Sequence, residues 1–323
     1  MTTYKEKHGT NIEVVSSDPS NPVAGQIWYN SSTNAVKGYG FVSGSWATGG
    51  ALNTARNGLA GAGTQTSALA MGGETPPYSS AAEKYNGTAW TNTTSLGTAR
   101  RGLMGSGDLN TAALAFGGQN NTGELAVNES FNGSSWTEVG DLNTGRFYGG
   151  GCGSQTAALA FAGDANPNTG KTETWNGSNW TEVNDLNRTQ KRNGGIGTNT
   201  AALAFGGLDP QIAEHTELWN GSNWTEVNDL NSKRRSLSGA GTTTAGVAFG
   251  GYDPSDSGTG ATEEWNGTNW TTSGNMGSAR YDLAGAGTKA AALAFGGRPP
   301  GQGTNATEEF SGGGAATVTF SQS

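Results

Sequence analysis

The sequence predicts an all-β fold built from six repeats, each forming a four-stranded antiparallel sheet. The first observation is an apolar run that ends in two small residues and recurs in steps of 44 to 46 residues. Its copies end at Gly73, Gly118, Gly163, Gly207, Gly251 and Gly297. The second is a tryptophan in the same phase, at Trp46, Trp90, Trp136, Trp180, Trp224 and Trp270. The third is the composition, with 55 glycines and 14% charged residues, which favours turns and small-residue strands over helices.

One period contains four strand signals, for which residues 146–185 serve as the example. The segments RFYGGGCGS, AALAFAG, KTETW and WTEV are read in order as strands A to D. Strands C and D are joined by NGSN, and an Asn-Gly pair tolerates the positive φ of a hairpin turn. Whether that loop has two or four residues, Trp175 and Trp180 lie on the same face. We therefore expect the repeated tryptophans to form aromatic pairs between neighbouring blades of a β-propeller.

The two ends of the repeat region predict how the last blade is completed. Trp46 lies ten residues before Arg56, the same spacing that separates Trp90 from Arg100. We expect the strand around Trp46 to supply strand D of the last blade, beside the strand C that ends at Phe310. The alternative is that residues 317–320 complete that blade.

The order of Arg, small-residue strand, apolar strand ending in Gly-Gly, variable loop, aromatic residue and Trp resembles the kelch repeat over about residues 39–310. The third repeat departs from it with Ala162-Gly163 in place of Gly-Gly. The resemblance implies a six-bladed kelch-like β-propeller with four antiparallel strands per blade. We assign residues 39–323 to it and residues 1–38 to an N-terminal arm and β-hairpin.

Charge and residue supply exclude several classes of function. A net charge of −8 argues against a nucleic-acid partner, whose binding needs clustered Lys and Arg. The chain has one cysteine, Cys152, which we expect to be a small buried side chain, and two histidines, His8 and His215. This supply argues against a zinc site, the copper site of kelch-type radical oxidases and a Ser-His-Asp set. We expect no cofactor, no metal site, no catalytic residue and no enzymatic activity.

The loops between strands B and C differ in every repeat, whereas the A–B and C–D turns are nearly uniform. Binding residues often lie on variable loops of a rigid scaffold, so we expect any partner to bind on the B–C loop face. Plain solvated loops are the alternative. The candidate binding residues are Tyr78, Asp164, Asp209, His215, Tyr252, Asp253 and Arg298.

A second candidate set consists of arginines near the start of strand A. These are Arg56, Arg100, Arg146, Arg192, Arg235 and Arg280. We interpret them as a structural ring of hydrogen-bond donors between blades, with recurring glutamates as acceptors. The alternative is a cationic ring around the channel mouth that binds anions.

The segment before the repeats reads as two short strands, QIWYN and AVKGYGF, joined by an SSTN turn and preceded by an extended arm. It has no apolar core typical of a secretory signal, and no stretch has transmembrane length, so we expect synthesis in a cytoplasm and no membrane insertion.

The stretch PVAGQIWYN resembles segments at the start of bacteriophage virion proteins, including tail and fibre-like proteins of marine phages with kelch-type repeats. This resemblance implies a structural protein of the virion, associated with the tail or fibre and present in several copies. Its arm would bind other virion proteins, and its loop face would bind a host-surface glycan, a host protein or a neighbouring subunit. The alternatives are a cellular kelch-type interaction adaptor and a carbohydrate-active propeller enzyme.

Overall fold

The computed structural model describes residues 12–165, 167–208, 210–255, 257–299 and 301–320. These residues form thirty β-strands and no helix, so the described part of the chain is all-β. Accordingly, no helix in these ranges is long and apolar enough to cross a membrane. The chain divides into two compact units, one of Met1–Gly44 with Gly312–Ser323 and one of Ser45–Ser311.

Four strands precede the first complete four-stranded repeat. They are β1 (Glu13–Val15), β2 (Ile27–Asn30), β3 (Ala35–Val42) and β4 (Ser45–Thr48). Sheet 1 contains β5 (Ala60–Thr64), β6 (Ser67–Met71), β7 (Ala82–Tyr85) and β8 (Trp90–Thr93). Sheet 2 begins with β9 (Met104–Leu109) and β10 (Ala112–Phe116), and a ribbon of β11 (Gln119–Asn120) and β12 (Gly123–Glu124) follows. Sheet 2 ends with β13 (Asn128–Phe131) and β14 (Trp136–Val139).

Sheet 3 contains β15 (Gly150–Gly153), β16 (Ala158–Phe161), β17 (Thr172–Trp175) and β18 (Trp180–Val183). Sheet 4 contains β19 (Gly194–Gly197), β20 (Ala202–Leu208), β21 (Ile212–Trp219) and β22 (Trp224–Glu226). Sheet 5 contains β23 (Ser238–Gly241), β24 (Gly246–Phe249), β25 (Thr262–Trp265) and β26 (Trp270–Thr272). Sheet 6 contains β27 (Ala284–Gly287), β28 (Ala291–Phe295), β29 (Thr307–Ser311) and β4, and the last strand is β30 (Gly314–Phe320).

Sheets 1 to 6 all have the same antiparallel order, first strand to fourth, and the architecture of this unit is propeller-like. The first strand of each sheet contacts the first strand of the next, and β27 of sheet 6 contacts β5 of sheet 1. In sheet 6, β4 pairs with β29 so that Trp46 lies opposite Phe310, which confirms the predicted origin of its fourth strand. The alternative was wrong, because residues 317–320 belong to β30, which pairs with β3.

The predicted aromatic pairs lie within single sheets, and further ring contacts connect neighbouring sheets. Trp175 lies opposite Trp180 across a four-residue turn, with ring centroids 5.5 Å apart. The fourth-strand tryptophan also contacts the second strand of the preceding sheet, as Trp270 does with Phe205 at 5.2 Å. In four of the six sheets, its indole Nε1 also donates to a threonine of the third strand of the preceding sheet, as Trp270 does to Thr216 Oγ1. Ring contacts and a buried hydrogen bond therefore hold adjacent sheets together.

The N-terminal unit is a separate four-stranded sheet with the order β1-β2-β3-β30. Its β2–β3 hairpin confirms the two strands expected around the SSTN turn, and the predicted boundary at residue 38 falls inside β3. Asp18 accepts hydrogen bonds from Trp28 Nε1 at 3.0 Å and Asn30 Nδ2 at 2.7 Å, and it pairs with Lys37 Nζ at 2.8 Å. These bonds, with the Lys37 bond the largest contribution, lower the pKa of Asp18 to about 2.

Acid is expected to loosen the contacts around Trp28. A carboxyl whose pKa is lowered by folding stabilises the fold above its unfolded pKa of about 3.9 and loses that contribution as pH falls toward the folded value. The indole N–H resonance of Trp28 in the folded protein should therefore shift with a midpoint near pH 2 in a titration followed by NMR. The Asp18→Asn variant serves as control and should lack the transition, whereas an unchanged transition in that variant would contradict the assignment.

Truncation of one inter-sheet tryptophan is expected to be costly. Trp270 is 5% exposed, so Trp270→Ala should reduce the free energy of unfolding by about 3–5 kcal/mol in a denaturant titration. Trp136→Ala is the matched control, because Trp136 is only partly buried and its Nε1 donates to the backbone oxygen of Thr94. Equal losses in the two variants would show that the deeper burial of Trp270 adds nothing to its contribution.

Candidate functional site

Buried Arg–Glu pairs fix the connection that enters each sheet. Arg146 lies on the connection before β15, is fully buried and places Nη2 2.7 Å from Glu173 Oε1 on β17. The same carboxylate accepts a hydrogen bond from the backbone N–H of Asn143 at 2.7 Å. The other pairs are Arg56–Glu83, Arg100–Glu129, Arg234–Glu263 and Arg280–Glu308. We call these five contacts the clamps.

The clamps correct part of the predicted arginine ring. In the fifth repeat the clamp residue is Arg234, not Arg235, and in the fourth repeat Gln190 occupies the position, not Arg192. Gln190 lies ten residues after Trp180, and Arg234 lies ten residues after Trp224. The spacing from the repeated tryptophan therefore identifies the clamp position where the residue type does not. The clamp arginines pair with recurring glutamates as expected, but each pair lies within one sheet. The bond between sheets comes from the main chain of the clamp residue, as in Gly118 N–H to Arg146 O at 2.9 Å.

The clamp arginines do not form a cationic ring at a channel mouth. All five have 0% exposed side chains and are enclosed by protein. Burial lowers the pKa of each guanidinium, and the paired carboxylate opposes that shift. Breaking such a buried pair is costly, so their role is structural.

Two residues after each clamp position, six backbone groups form a closed cycle of hydrogen bonds. Each N–H donates to the C=O of the equivalent residue in the preceding repeat at 2.6–3.0 Å, and Gly58 donates to Asp282. The members are Gly58, Gly102, Tyr148, Arg192, Ser236 and Asp282. We call these residues the mouth ring, because all of them line one end of a central cavity of about 130 Å³.

The mouth ring holds non-glycine residues in a left-handed backbone conformation. Gly58 and Gly102 have φ of 60° and 59°, which glycine adopts without cost. The other four members have φ between 52° and 59°. Of the six non-glycine residues with positive φ in the described part of the chain, these are four. Backbone strain of this kind concentrates at functional sites, so the ring is the strongest candidate for one.

The four side chains of the mouth ring converge on one another. The Arg192 guanidinium lies over the Tyr148 ring, 3.9 Å from its centroid. Arg192 Nη1 lies 3.3 Å from both Ser236 Oγ and Asp282 Oδ1. The Asp282 side chain is 7% exposed, and burial raises its pKa. Burial also raises the pKa of Tyr148.

The two glycines of the mouth ring make room for Tyr148. A Cβ added at Gly102 would lie 3.2 Å from the Tyr148 ring, and one added at Gly58 would lie 3.2 Å from its hydroxyl. Tyr148 therefore lies across the positions where two repeats carry no side chain. The mouth is asymmetric, with one aromatic ring and three polar side chains around it.

A second set of residues surrounds the mouth ring and includes several of the predicted binding residues. In each repeat, the residue after the clamp position forms an isolated antiparallel β-bridge with the residue that follows the Gly-Gly pair. Asp164 bridges to Phe147 and pairs with Lys191 at 3.0 Å. Tyr252 contacts Tyr281 at 4.8 Å, and Arg235 lies over its ring at 4.5 Å.

Arg298 bridges to Tyr281 and donates from Nε to Gly301 O at 3.1 Å. Tyr78 lies under Arg101, which pairs with Glu74 at 2.7 Å. The structure thus places Tyr78, Asp164, Tyr252 and Arg298 close to residues that surround the mouth.

The remaining predicted binding residues have other surroundings. His215 lies on β21 with Nδ1 3.6 Å from Asp229 Oδ2, and neither residue belongs to the mouth. Asp253 accepts hydrogen bonds from Ser255 and Ser257 and so stabilises its own loop. Asp209 lies outside the described residues.

The described ranges contain no group of three His, Cys, Asp or Glu side chains that could hold a metal ion. Cys152 on β15 is buried as expected, and burial raises its pKa to about 12. Its thiol therefore remains protonated at neutral pH.

Sequence reasoning missed Tyr148, Ser236 and Asp282, and it named Arg192 in a different role. The signal that identifies them is their position, twelve residues after Trp136, Trp224 and Trp270. Their types do not repeat, so a search for repeated residues passes over them.

The chain was compared with protein-family models and with curated proteins, and neither comparison finds a match. Its functional interpretation therefore depends on its own repeats and geometry.

Completing the missing clamp is expected to stabilise the protein. Glu217 is fully buried, and its Oε1 has no hydrogen-bond partner among the described residues, because Gln190 replaces the arginine. Gln190→Arg should raise the free energy of unfolding by about 1–3 kcal/mol in a denaturant titration. The reciprocal control, Arg146→Gln, should lower it by about 3–5 kcal/mol. A destabilised Gln190→Arg variant would show that the fourth repeat has no vacant clamp position.

Proposed function

We propose that this chain is a six-bladed kelch-like β-propeller that binds a ligand at the mouth ring without converting it. Support for a closed ring comes from the cycle of six hydrogen bonds and from the contact of β27 with β5. Further support comes from β4, which completes sheet 6 from the N-terminal side of the repeats.

The observation that carries the binding role is a comparison among the six repeats. Positions that support the fold have nearly the same residue type in all six repeats. Examples are the repeated tryptophan and the glutamate of the clamps. The mouth ring instead holds Gly, Gly, Tyr, Arg, Ser and Asp at equivalent positions. Packing alone would favour glycine at all six, because each has a left-handed backbone. Four non-glycine side chains at this cost are best explained by recognition.

The setting that we propose is a bacteriophage virion, with the protein associated with the tail or fibre in several copies. The resemblance of PVAGQIWYN to the start of phage virion proteins supports it. Exposed apolar side chains of the N-terminal unit also support an attachment role there, because Val14 is 67% exposed, Val23 68% and Phe320 50%. Several copies would multiply weak contacts at each mouth.

Two measurements test this proposal. Mass spectrometry of purified particles should detect the protein, and its absence from particles would overturn the virion setting.

The second measurement is adsorption of the purified protein to host cells by co-sedimentation. A variant with Tyr148→Gly, Arg192→Gly and Asp282→Gly should lose at least tenfold in adsorption, because these side chains form the mouth. Glycine suits the backbone at all three positions, so folding should be retained, as circular dichroism can verify. Thr181→Ala, at an exposed position of β18, is the control and should adsorb normally. Unchanged adsorption of the triple variant would contradict binding at the mouth.

A further inference from the structure

The sheet of the N-terminal unit has two faces with different surroundings. On one face, Trp28 and Asn30 are 0% and 4% exposed, and both donate hydrogen bonds to Asp18 in the segment between β1 and β2. The other face is formed by the alternate residues of β1, β2, β3 and β30 that the strand register places side by side. Its larger apolar side chains are Val14, Ile27, Val36, Val42, Val318 and Phe320. We call this second surface the open face.

The open face is a contiguous apolar surface in contact with solvent. Val14, Ile27 and Phe320 are all exposed, although each has a large apolar side chain. The Phe320 ring lies next to Gly38, where an added Cβ would lie 2.9 Å from it, and Gly38 lies opposite Ile27. None of the described residues of the open face is charged. A continuous apolar patch of this kind marks an interaction surface.

Side-chain size differs between the two ends of the open face. At one end, Tyr29, Val36 and Phe320 lie side by side on β2, β3 and β30. Toward the other end, Gly40 lies opposite Ala316 on β30, so large side chains give way to small ones. A two-fold axis across the strands would set the large side chains of each copy of the chain against the small ones of the other. Facing sheets pack well when large and small residues meet in this way, so the open face is complementary to itself.

The distribution of charge also favours a second copy as the partner. The unit of Met1–Gly44 and Gly312–Ser323 contains three basic and three acidic residues, so its formal net charge is zero. The whole chain has a net charge of −8, which residues 45–311 therefore carry alone. Identical copies meet without net repulsion between their N-terminal units. A partner of different sequence is usually selected by charges of opposite sign, and the described residues of the open face offer none.

We propose that the open face binds the open face of a second copy of this chain in a two-fold symmetric dimer. Because both copies use the same surface, the assembly closes at two copies. The sheet has four strands, spaced about 4.8 Å apart, and its longer edge strand β30 has seven residues. A face of this size is small for a protein interface, so we expect a weak and reversible dimer. The inference concerns a surface outside the mouth ring and does not depend on ligand binding there.

Sedimentation equilibrium of the purified full chain over a series of concentrations tests the dimer. The average mass should rise with concentration from 32.8 kDa toward twice that value. Val14→Lys and Ile27→Lys should each raise the dissociation constant of the dimer at least tenfold, because each places a charge in an apolar interface. Thr317→Lys adds the same charge at an exposed position on the opposite face of the sheet, so this control should dimerise normally. Circular dichroism can verify that all three variants are folded.

Two outcomes would overturn the inference. One is a chain that stays monomeric at every concentration up to about 1 mM. The other is a dimer whose dissociation constant is the same in the two open-face variants as in the wild type. If the chain is monomeric and Val14→Lys nevertheless removes it from particles, the open face binds another virion protein and not a second copy. None of these results bears on the mouth ring, which the adsorption experiment tests separately.

Discussion

In five of the six repeats, a buried Arg–Glu clamp fixes the connection that leads into the sheet. The Glu173 carboxylate on β17 holds the Arg146 side chain and the Asn143 N–H of the same connection. The main-chain oxygen of Arg146 then accepts from Gly118, at the end of the second strand of the preceding sheet. One residue thus connects two sheets. The clamp lies two residues before the mouth ring. In the fourth repeat, where Gln190 replaces the arginine, Gly163 N–H still donates to Gln190 O at 2.9 Å and Arg192 still has a φ of 59°.

Much of the fold could be predicted from the sequence, because its determinants repeat. The spacing of Trp46 from Arg56 predicted the strand that completes sheet 6. The alternation of side chains in the Asn-Gly hairpin predicted that Trp175 and Trp180 share a face, and the structure shows them directly opposite each other. The predicted arginine ring was wrong in two repeats, because it followed residue type and not the spacing from the tryptophan. Gln190 lies at the clamp position of the fourth repeat, and Arg192 lies two residues after it. The mouth ring could not be found in this way, since its members share a backbone conformation and no chemistry.

The sequence repeat also does not predict the contacts between neighbouring repeats. Trp136 and Trp180 occupy the same position as Trp270, but the preceding sheets offer them different partners. Trp180 Nε1 has no hydrogen-bond partner among the described residues, because Asn128 lies where four other repeats have threonine. Trp136 lies partly exposed and bonds to Thr94 O instead. The environment of each tryptophan depends on its own repeat and on the one before it.

In this arrangement, the residues that support the fold differ from the residues that we propose to bind a ligand. The clamp, the Gly-Gly pair and the tryptophan place the backbone at the mouth, so the mouth side chain contributes little to folding and is free to differ among repeats. Its cost is the left-handed conformation of a non-glycine residue, on the order of 1 kcal/mol each. Main-chain hydrogen bonds between adjacent sheets offset that cost locally, as Gly163 N–H to Gln190 O at 2.9 Å and Arg192 N–H to Tyr148 O at 2.6 Å do beside Arg192. Tyr148, Arg192, Ser236 and Asp282 can therefore gather at one mouth while Gly58 and Gly102 provide the space that Tyr148 occupies. Six similar repeats thus form a single asymmetric cluster of side chains at the mouth, as the proposed binding of one ligand requires.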